Sequence, residues 1–403
     1  MRVLMVTNTY LPHVSGVANA VDRMVRSLRQ LGHEVIVIAP GDSPTAPIHA
    51  DKNGVIRVPA IPAIAGSDHD FPLPVTERLV AIARAFDPHI IHAHHQFSLG
   101  KAALVAARKL GKPIVVTVHT FHETQTHKFK VPMRLSLSAK IAVAAATYLG
   151  ASTIPRFFEN SCDAVFAPTE SAAHLLRERG VVAPIYITPS GIDIGVYANP
   201  NGEPVRKKNR IEPGAFVVGH VGRLSKEKNL IFLAQGIAKF LSANGDARSI
   251  IVGTGPCSGE MDSTFRAHRV SSRVRWLGVQ RGQALADAYG AMDAFAFSSV
   301  IETQGLVLAE AMAAGAPVVA LDGPGTRDII QDGTNGRLVK KLDPESFAEA
   351  LFEWSQLPPA VATARKLAAR RTGGSYALEL TTRRLVSSYE QVIRSCDRSC
   401  FAV

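Results

Sequence analysis

The sequence has only four cysteines among its 403 residues, too few for a scaffold built on disulfides. Only Cys396 and Cys400 lie close together, so the cysteines do not indicate a zinc site either. No apolar run approaches the roughly 20 residues that cross a bilayer. Aromatic residues make up 6%, and they do not alternate with basic ones as in a platform for single-stranded nucleic acid. These absences leave an ordinary globular protein, which we expect in the cytoplasm.

Acidic residues are scarce relative to basic ones, and the net charge is +11. Such an excess is typical of proteins that bind nucleic acid, an anionic membrane surface or phosphorylated small molecules. The chain lacks helix-turn-helix, RNA-recognition and zinc-finger patterns, which disfavours nucleic acid as a partner. The other two partners stay open. The G-x-G-x-x-G fingerprint is also absent, which disfavours a nicotinamide-dependent dehydrogenase.

What the sequence does contain is a regular alternation of short β-rich runs and amphipathic helices. Most predicted strands are continuous apolar runs, which is the pattern of parallel strands covered on both faces. The helix predicted at Ala18–Leu31 has one apolar stripe and stops at Gly32, a left-handed cap position. We therefore predict an α/β fold with two doubly wound, Rossmann-like sheets. The predicted strands are Val3–Thr7, Glu34–Ala39, Val55–Val58, Ile90–Ala93, Ile114–His119, Ala164–Ala167, Ile185–Thr188, Val217–Val221, Ser249–Val252, Val274–Trp276, Ala294–Phe297, Val318–Ala320 and Gly336–Val339.

The alternation breaks once, at Tyr197–Gly214, a stretch rich in Pro, Gly, Asn and charge. A buried strand begins again directly afterwards. We therefore predict an N-terminal domain at 1–198, a C-terminal domain at 199–375, and a last segment at 376–403 that forms one helix.

The strongest local pattern follows the strand predicted at Ala294–Phe297. A helix predicted at Leu306–Ala314 is apolar on every side except at Glu310. Such a helix is normally buried, and an unpartnered buried carboxylate costs on the order of several kcal/mol. Glu310 therefore needs a hydrogen-bonding partner, which could be a protein group or the hydroxyls of a ligand. Gly305 lets the backbone come close to a ligand where the helix begins.

Two weaker patterns suggest phosphate binding. Arg223 and Lys228 follow a predicted strand, where cationic side chains near a helix start can neutralise a diphosphate. Gly16 precedes the first helix, where it lets backbone N–H groups reach a phosphate. Each pattern alone also fits an ordinary turn. Among the histidines, His119 ends a predicted buried strand and is the one expected at the functional edge of its sheet.

In their order along the chain, these residues resemble retaining glycosyltransferases of the GT4 type, which have a GT-B fold. The donor-binding pattern E-T-x-G-L-x-x-x-E-A-M-A-x-G-x-P-V-V begins at Glu302. The segments Gly222-Arg223, Gly253-Thr254-Gly255-Pro256 and Trp276-Leu277-Gly278 occur in the family's order as well. The resemblance covers nearly the whole chain. It implies two Rossmann-like domains that face a central cleft, with the last helix crossing back onto the first domain.

The resemblance also implies a role for each matching residue. Arg223 and Lys228 would hold the donor diphosphate, and Glu302 would bind the transferred sugar. Glu310 would bind the ribose hydroxyls, and His119 would line the reacting centre. The implied catalytic residues are His119, Arg223, Lys228 and Glu302. The implied donor-binding residues are Gly16, Arg223, Lys228, Gly253, Leu277, Val279, Glu302, Gly305, Leu306 and Glu310.

The implied reaction moves a hexose from a nucleotide-diphosphate sugar, of the UDP-glucose or GDP-mannose type, to an acceptor hydroxyl with retention of configuration. It needs no cofactor and no metal, because Arg223 and Lys228 would take the place of a metal ion. Charge that develops on the leaving phosphate would be stabilised by these cations and by helix dipoles.

The stretches His95–Gly100 and Val118–Glu123 are similar to the branch that contains diacylglycerol glucosyltransferases and lipid mannosyltransferases. This similarity implies a membrane lipid such as diacylglycerol as the acceptor, and it implies acceptor-side residues His94, Phe121 and His122. The sequence departs from the branch at FHETQTHKF, where tyrosines are expected, so a glycan or a small molecule stays open as the acceptor.

The segment Lys101–Lys140 is strongly basic and contains a single acid, Glu123. One interpretation is docking on anionic lipids, with peripheral attachment to the inner face of the membrane. The other is a buried crossover helix whose lysines extend to solvent.

Other functions are compatible with parts of the pattern. A GT-B epimerase or phosphorylase would share the fold, although no cofactor-lysine context for a phosphorylase is present. A non-catalytic binding protein would not need Arg223, Lys228, Glu302 and Glu310 together. A nucleic-acid binder would show a steep salt dependence and no affinity for nucleotide sugars.

Overall fold

The computed structural model describes residues 1–13, 15–45, 47–51, 53–61, 71–73, 75–119 and 156–399. The chain divides into two compact units. The first is drawn from Met1–Gly191 and the helix Leu378–Ser399, and the second is Ile192–Ala377. The sequence prediction placed these limits at 198/199 and 375/376. Each unit is built around its own sheet, which is mainly parallel in the first unit and wholly parallel in the second.

The first unit contains ten of the described strands. They are β1 (Arg2–Val6), β2 (Glu34–Pro40), β3 (His49–Ala50), β4 (Val55–Val58), β5 (Ala60–Ile61), β6 (Phe71–Pro72), β7 (Ile90–Ala93), β8 (Ile114–Thr117), β9 (Ala164–Ala167) and β10 (Ile185–Ile187). Eight of them form one sheet in the order β10-β9-β8-β7-β1-β2-β4-β3, and β5 pairs with β6 separately. All neighbours in the large sheet are parallel except β3 and β4.

Both faces of this sheet are buried. Val3 and Met5 belong to one hydrophobic cluster, and Leu4 and Val6 belong to the other. This arrangement explains why the strands read as continuous apolar runs, because each face lies under helices. The helices of the first unit are Gly16–Gln30, Thr76–Phe86, Leu99–Leu110, residues 156–161, Glu170–Glu178 and Leu378–Ser399.

The first helix, Gly16–Gln30, begins two residues before the predicted start at Ala18 and ends one residue before the predicted end at Leu31. Ser15 caps it, since its side chain accepts a hydrogen bond from the Ala18 backbone N–H at 3.1 Å. Gly32 follows with φ of +81°, the left-handed conformation predicted for it. The buried face of the first helix shares a core with Leu385, Tyr389 and other residues of the last helix.

The second unit contains six strands, all parallel, in the order β13-β12-β11-β14-β15-β16. They are β11 (Val217–Val221), β12 (Arg248–Val252), β13 (Val274–Gly278), β14 (Ala294–Phe297), β15 (Val318–Leu321) and β16 (Gly336–Val339). Its α-helices are Ile194–Tyr197, Glu203–Lys208, Leu230–Ala243, Ser258–Ala267, Gly282–Gly290, Leu306–Ala313, Pro324–Arg327, Pro344–Ser355 and Pro359–Gly374.

In both sheets the strand order reverses beside the first strand. The reversal lies between β1 and β7 in the first unit and between β11 and β14 in the second. Ligands of open α/β sheets bind beyond the carboxyl ends of the strands at such a point. The prediction of two doubly wound sheets is thus confirmed. The strands β3, β5 and β6 were not predicted, because each has only two residues, too few to show a pattern.

Candidate active site

An ion pair between Lys228 and Glu302 spans the reversal point of the second sheet. The Lys228 ammonium contacts the Glu302 carboxylate, and their side chains are 28% and 17% exposed. Lys228 ends a 3-10 turn after β11, and Glu302 lies in the segment after β14. The Ser298 hydroxyl ties the two segments together by donating to the Lys228 carbonyl oxygen at 2.8 Å. Two residues that are distant in sequence and predicted to be catalytic are therefore in direct contact.

Arg223 lies in the same loop after β11 but is more exposed, with 49% of its side chain accessible. Its Nη2 donates to Glu227 Oε1 at 2.8 Å, and the Ser225 hydroxyl donates to the same oxygen at 2.7 Å. The guanidinium is thus open to solvent on one side, while the Glu227 side chain is only 10% exposed.

Glu310 is 7% exposed and lies on the buried helix Leu306–Ala313. The Tyr289 hydroxyl donates to Glu310 Oε2 at 3.4 Å, so a protein group supplies one hydrogen bond to this carboxylate. Gly305 precedes the helix with φ of +69°, and no side chain caps the helix N-terminus. Leu306 is the first helical residue.

Backbone segments pack closely where β11, β12 and β13 end. A Cβ atom on Gly253 would lie 1.9 Å from the Gly222 carbonyl oxygen, so only glycine fits there. The Gly253 N–H donates to the Gly278 carbonyl oxygen at 2.8 Å, which joins this loop to the end of β13. Leu277 and Val279 flank Gly278, and Val279 is 58% exposed. The positions predicted to contact the nucleobase therefore lie beside the Gly222–Arg223 loop.

His220 was given no role from the sequence, although it lies in the same motif as Gly222 and Arg223. It is 1% exposed, and its Nδ1 donates to the Ala296 carbonyl oxygen at 3.0 Å, which links β11 to β14. Its ring stacks on Phe295 with 6.0 Å between centroids. Burial lowers the pKa of His220 to about 4, and the charge of Lys228 acts in the same direction. His220 is therefore a neutral imidazole beside the Lys228 ammonium.

In the first unit, the structure brings His94 and His119 together beyond β7 and β8. His94 Nδ1 lies 3.0 Å from His119 Nε2. The predicted strand Ile114–His119 ends earlier, at Thr117, so His119 belongs to the segment that follows. Burial lowers the pKa of His119 to about 4.

Gly16 lies at the N-terminus of the first helix, as predicted, and a Cβ there would meet no atom of the described residues within 4 Å. Packing against that part of the chain therefore does not require glycine at this position. The remaining acceptor-side predictions, Phe121 and His122, lie outside the described residues, as does all of the basic segment Lys101–Lys140 after His119.

Two family models match the chain in the positions of its two units. Glycosyltransferase Family 4 matches residues 14–196, and Glycosyl transferases group 1 matches residues 215–356. A GDP-mannose-dependent alpha-mannosyltransferase of Mycolicibacterium smegmatis is 31% identical over 401 residues, which are 98% of each chain. An alpha-monoglucosyldiacylglycerol synthase of Streptococcus pneumoniae is 28% identical over 84% of this chain and 75% of that protein.

The chain belongs to glycosyltransferase family 4, and the resemblance drawn from its motifs is confirmed. It is a glycosyltransferase that uses a nucleotide-sugar donor. Among solved structures, Anabaena HepE in complex with UDP and glucose has a TM-score of 0.74 at 19% identity, covering 97% of this chain and 100% of that one. This likeness confirms the GT-B fold.

Within the described part of the chain, no helix is both long and apolar enough to cross a membrane. The same part of the chain contains no group of three or more His, Cys, Asp or Glu residues that could hold a metal ion.

Proposed function

We propose that this enzyme moves a hexose, with retention of configuration, from a nucleotide-diphosphate sugar to a hydroxyl of a membrane lipid. The observation that carries this proposal is the contact between Lys228 and Glu302 at the reversal point of the second sheet. A cation and a carboxylate held side by side suit a substrate that joins a diphosphate to a sugar. Lys228 would neutralise the phosphate, and Glu302 would accept hydrogen bonds from sugar hydroxyls.

The other predicted donor-site residues would bind the rest of the nucleotide. Arg223 would release Glu227 and bind the diphosphate, and the uncapped helix start at Leu306 would add backbone N–H groups. Glu310 would bind the ribose, since one of its oxygens already accepts from Tyr289 and a carboxylate can accept several hydrogen bonds. The nucleobase would lie against Leu277 and Val279, close to Gly253.

The chemistry requires stabilisation of the departing nucleoside diphosphate. Lys228 and Arg223 are positioned to stabilise that charge, and donors of this kind contribute about 10²- to 10³-fold each to the rate. His119 and Gly16 of the first unit would contact the sugar and the diphosphate. The acceptor proton would pass to the leaving phosphate on the same face of the sugar, so no protein nucleophile is needed. We propose that neither a cofactor nor a metal takes part.

The donor to test first is GDP-mannose, because a relative named for that donor aligns with nearly the whole chain. UDP-glucose is the second candidate, since the pneumococcal relative is named for a glucosyl product. A thermal-shift screen against GDP, UDP, ADP and their hexose conjugates separates them. We expect one nucleotide to raise the melting temperature selectively. A flat response to every nucleotide would contradict the proposed function.

The acceptor proposal predicts attachment to anionic membranes through the basic segment Lys101–Lys140. In its described part, Lys101, Arg108 and Lys109 are exposed on the helix Leu99–Leu110, beside the partly exposed Val105. Flotation with liposomes of phosphatidylglycerol and of phosphatidylcholine tests this prediction. We expect recovery with the anionic liposomes only, and equal recovery with both would exclude electrostatic docking.

A further inference from the structure

His94 and His119 form a hydrogen-bonded pair of imidazoles at the reversal point of the first sheet. Their nitrogens are 3.0 Å apart, and their rings lie 5.2 Å apart between centroids with 30° between planes. His94 is 2% exposed, and its backbone N–H donates to the Val6 carbonyl oxygen at 2.9 Å. His94 is therefore fixed to the end of β1 while its ring supports the ring of His119.

Both imidazoles are neutral. Burial, together with the neighbouring imidazoles His92, His119 and His95, holds the pKa of His94 well below its usual range. Burial lowers the pKa of His119 to about 4. In a contact between two neutral imidazoles, one nitrogen carries a hydrogen and donates it in a hydrogen bond, and the other nitrogen accepts that hydrogen bond.

The second nitrogen of His94 decides which of the two donates. His94 Nε2 is buried and has no hydrogen-bond partner among the residues that the structure describes. If His119 were the donor, the proton of His94 would have to lie on Nε2 as a buried N–H without an acceptor. Orphaned buried N–H groups are rarer in folded proteins than orphaned acceptors. The proton of His94 therefore lies on Nδ1, and Nε2 carries only a lone pair.

The surrounding residues hold this arrangement in place. His92 uses both ring nitrogens, with Nδ1 at 2.6 Å from the Tyr389 hydroxyl and Nε2 at 2.7 Å from the Thr117 hydroxyl. The rings of His92 and His94 are 4.1 Å apart between centroids. His95 Nδ1 accepts from the Asn8 backbone N–H at 3.1 Å. His94 thus packs against a side chain that is itself fixed at both ends.

We propose that His94 is a positioning residue that donates its Nδ1 hydrogen to His119 and so keeps the proton of His119 on Nδ1. His119 then acts as a hydrogen-bond donor and not as a base. This inference rests on the proposed contact of His119 with the transferred sugar. It agrees with a reaction in which the leaving phosphate, and no side chain, takes the acceptor proton.

Two substitutions separate the hydrogen bond from the packing. His94→Asn places an amide N–H where Nδ1–H lies, and His94→Leu fills the space without a donor. We expect His94→Leu to lower kcat on the order of 10²-fold, as for a misplaced reacting group, with little change in the donor KM. His94→Asn should recover most of that loss. His174→Leu, at an exposed histidine of the same unit, is the control and should leave kcat unchanged.

Nitrogen-15 NMR of labelled histidines gives a readout that does not depend on turnover. The His119 signals, assigned by loss in His119→Gln, should show protonated Nδ1 in the wild type and in His94→Asn, and a mixture of tautomers in His94→Leu. Protonated Nε2 of His119 in the wild type would overturn the inference, and so would equal kcat losses in both His94 variants. Normal turnover by His119→Gln would instead refute the proposed role of His119 and leave the tautomer result standing. If His94→Leu does not fold, the wild-type spectrum alone decides.

Discussion

Replacing Lys228 by alanine tests the candidate site most directly, because the structure predicts a large effect on rate and a small one on stability. The substitution removes the cation that faces Glu302. If Lys228 stabilises the leaving diphosphate, kcat/KM should fall by about 10²- to 10³-fold, the usual effect of losing one such donor.

The expected stability change follows from the exposure of the pair. Both side chains are partly accessible to water, at 28% and 17%, so the ion pair contributes little more than a surface pair. Surface pairs contribute about 0–1 kcal/mol, which corresponds to a shift in melting temperature of at most about 4 °C for a unit of this size. Turnover should therefore be lost in a protein that is still folded.

Lys239→Ala is the matched control, because Lys239 also forms an ion pair with a glutamate, Glu345, in the same unit. It should change kcat/KM by less than about twofold. The assay measures transfer of a radiolabelled hexose from the donor found in the thermal-shift screen, and scanning fluorimetry on the same samples measures melting. Lys228→Ala with a rate within about threefold of the wild type would refute the site assignment. A loss of rate accompanied by a large fall in melting temperature would refute it as well, because unfolding would then explain the loss.

Three further predictions concern packing, nucleotide binding and pH. Gly253→Ala should destabilise the second unit by about 2–4 kcal/mol in urea unfolding, because the new Cβ would lie 1.9 Å from the Gly222 carbonyl oxygen and φ is +124°. Gly259→Ala, in open space on a helix, should instead be neutral or stabilising by up to about 1 kcal/mol, and equal effects of the two would contradict the packing argument. Glu310→Gln should weaken nucleotide binding about tenfold in calorimetry through lost charge-assisted hydrogen bonds to the ribose, and an unchanged dissociation constant would exclude that role. The pKa of His220 falls from 6.5 to about 4 on folding. The contribution of His220 to the free energy of unfolding is therefore fully present above pH 6.5 and is lost as the pH drops from 6.5 toward 4, by about 3 kcal/mol in total. Urea unfolding of His220→Phe should show a shallower loss over that range, and parallel curves would refute this source of acid sensitivity.

The fold could be predicted from the sequence because its central strands are covered on both faces. β7, β8 and β9 are buried at every position, and their residues are apolar except for His92 in β7 and Thr117 at the end of β8. The short strands β3, β5 and β6 carry no such signal, because two residues cannot show a period.

The chemistry of the site could be predicted only in part. The position of Glu310 on an otherwise apolar helix implied a hydrogen-bonding partner. The sequence around Tyr289 does not indicate that its hydroxyl donates to Glu310. Glu227 lies four positions from Arg223, yet whether that pair forms depends on a turn whose shape the sequence does not reveal. The contact between His94 and His119 depends on two strands that are neighbours only in the folded sheet.

The return of the last helix to the first unit has a consequence for the order in which the protein is made. The second unit, Ile192–Ala377, is inserted into the chain of the first. Tyr389 is fully buried in the core of the first unit, and its hydroxyl is hydrogen-bonded to His92. During synthesis, all residues of the second unit leave the ribosome before that tyrosine does. The unit whose synthesis begins first is therefore completed last, because its core is incomplete until the helix Leu378–Ser399 has been synthesised.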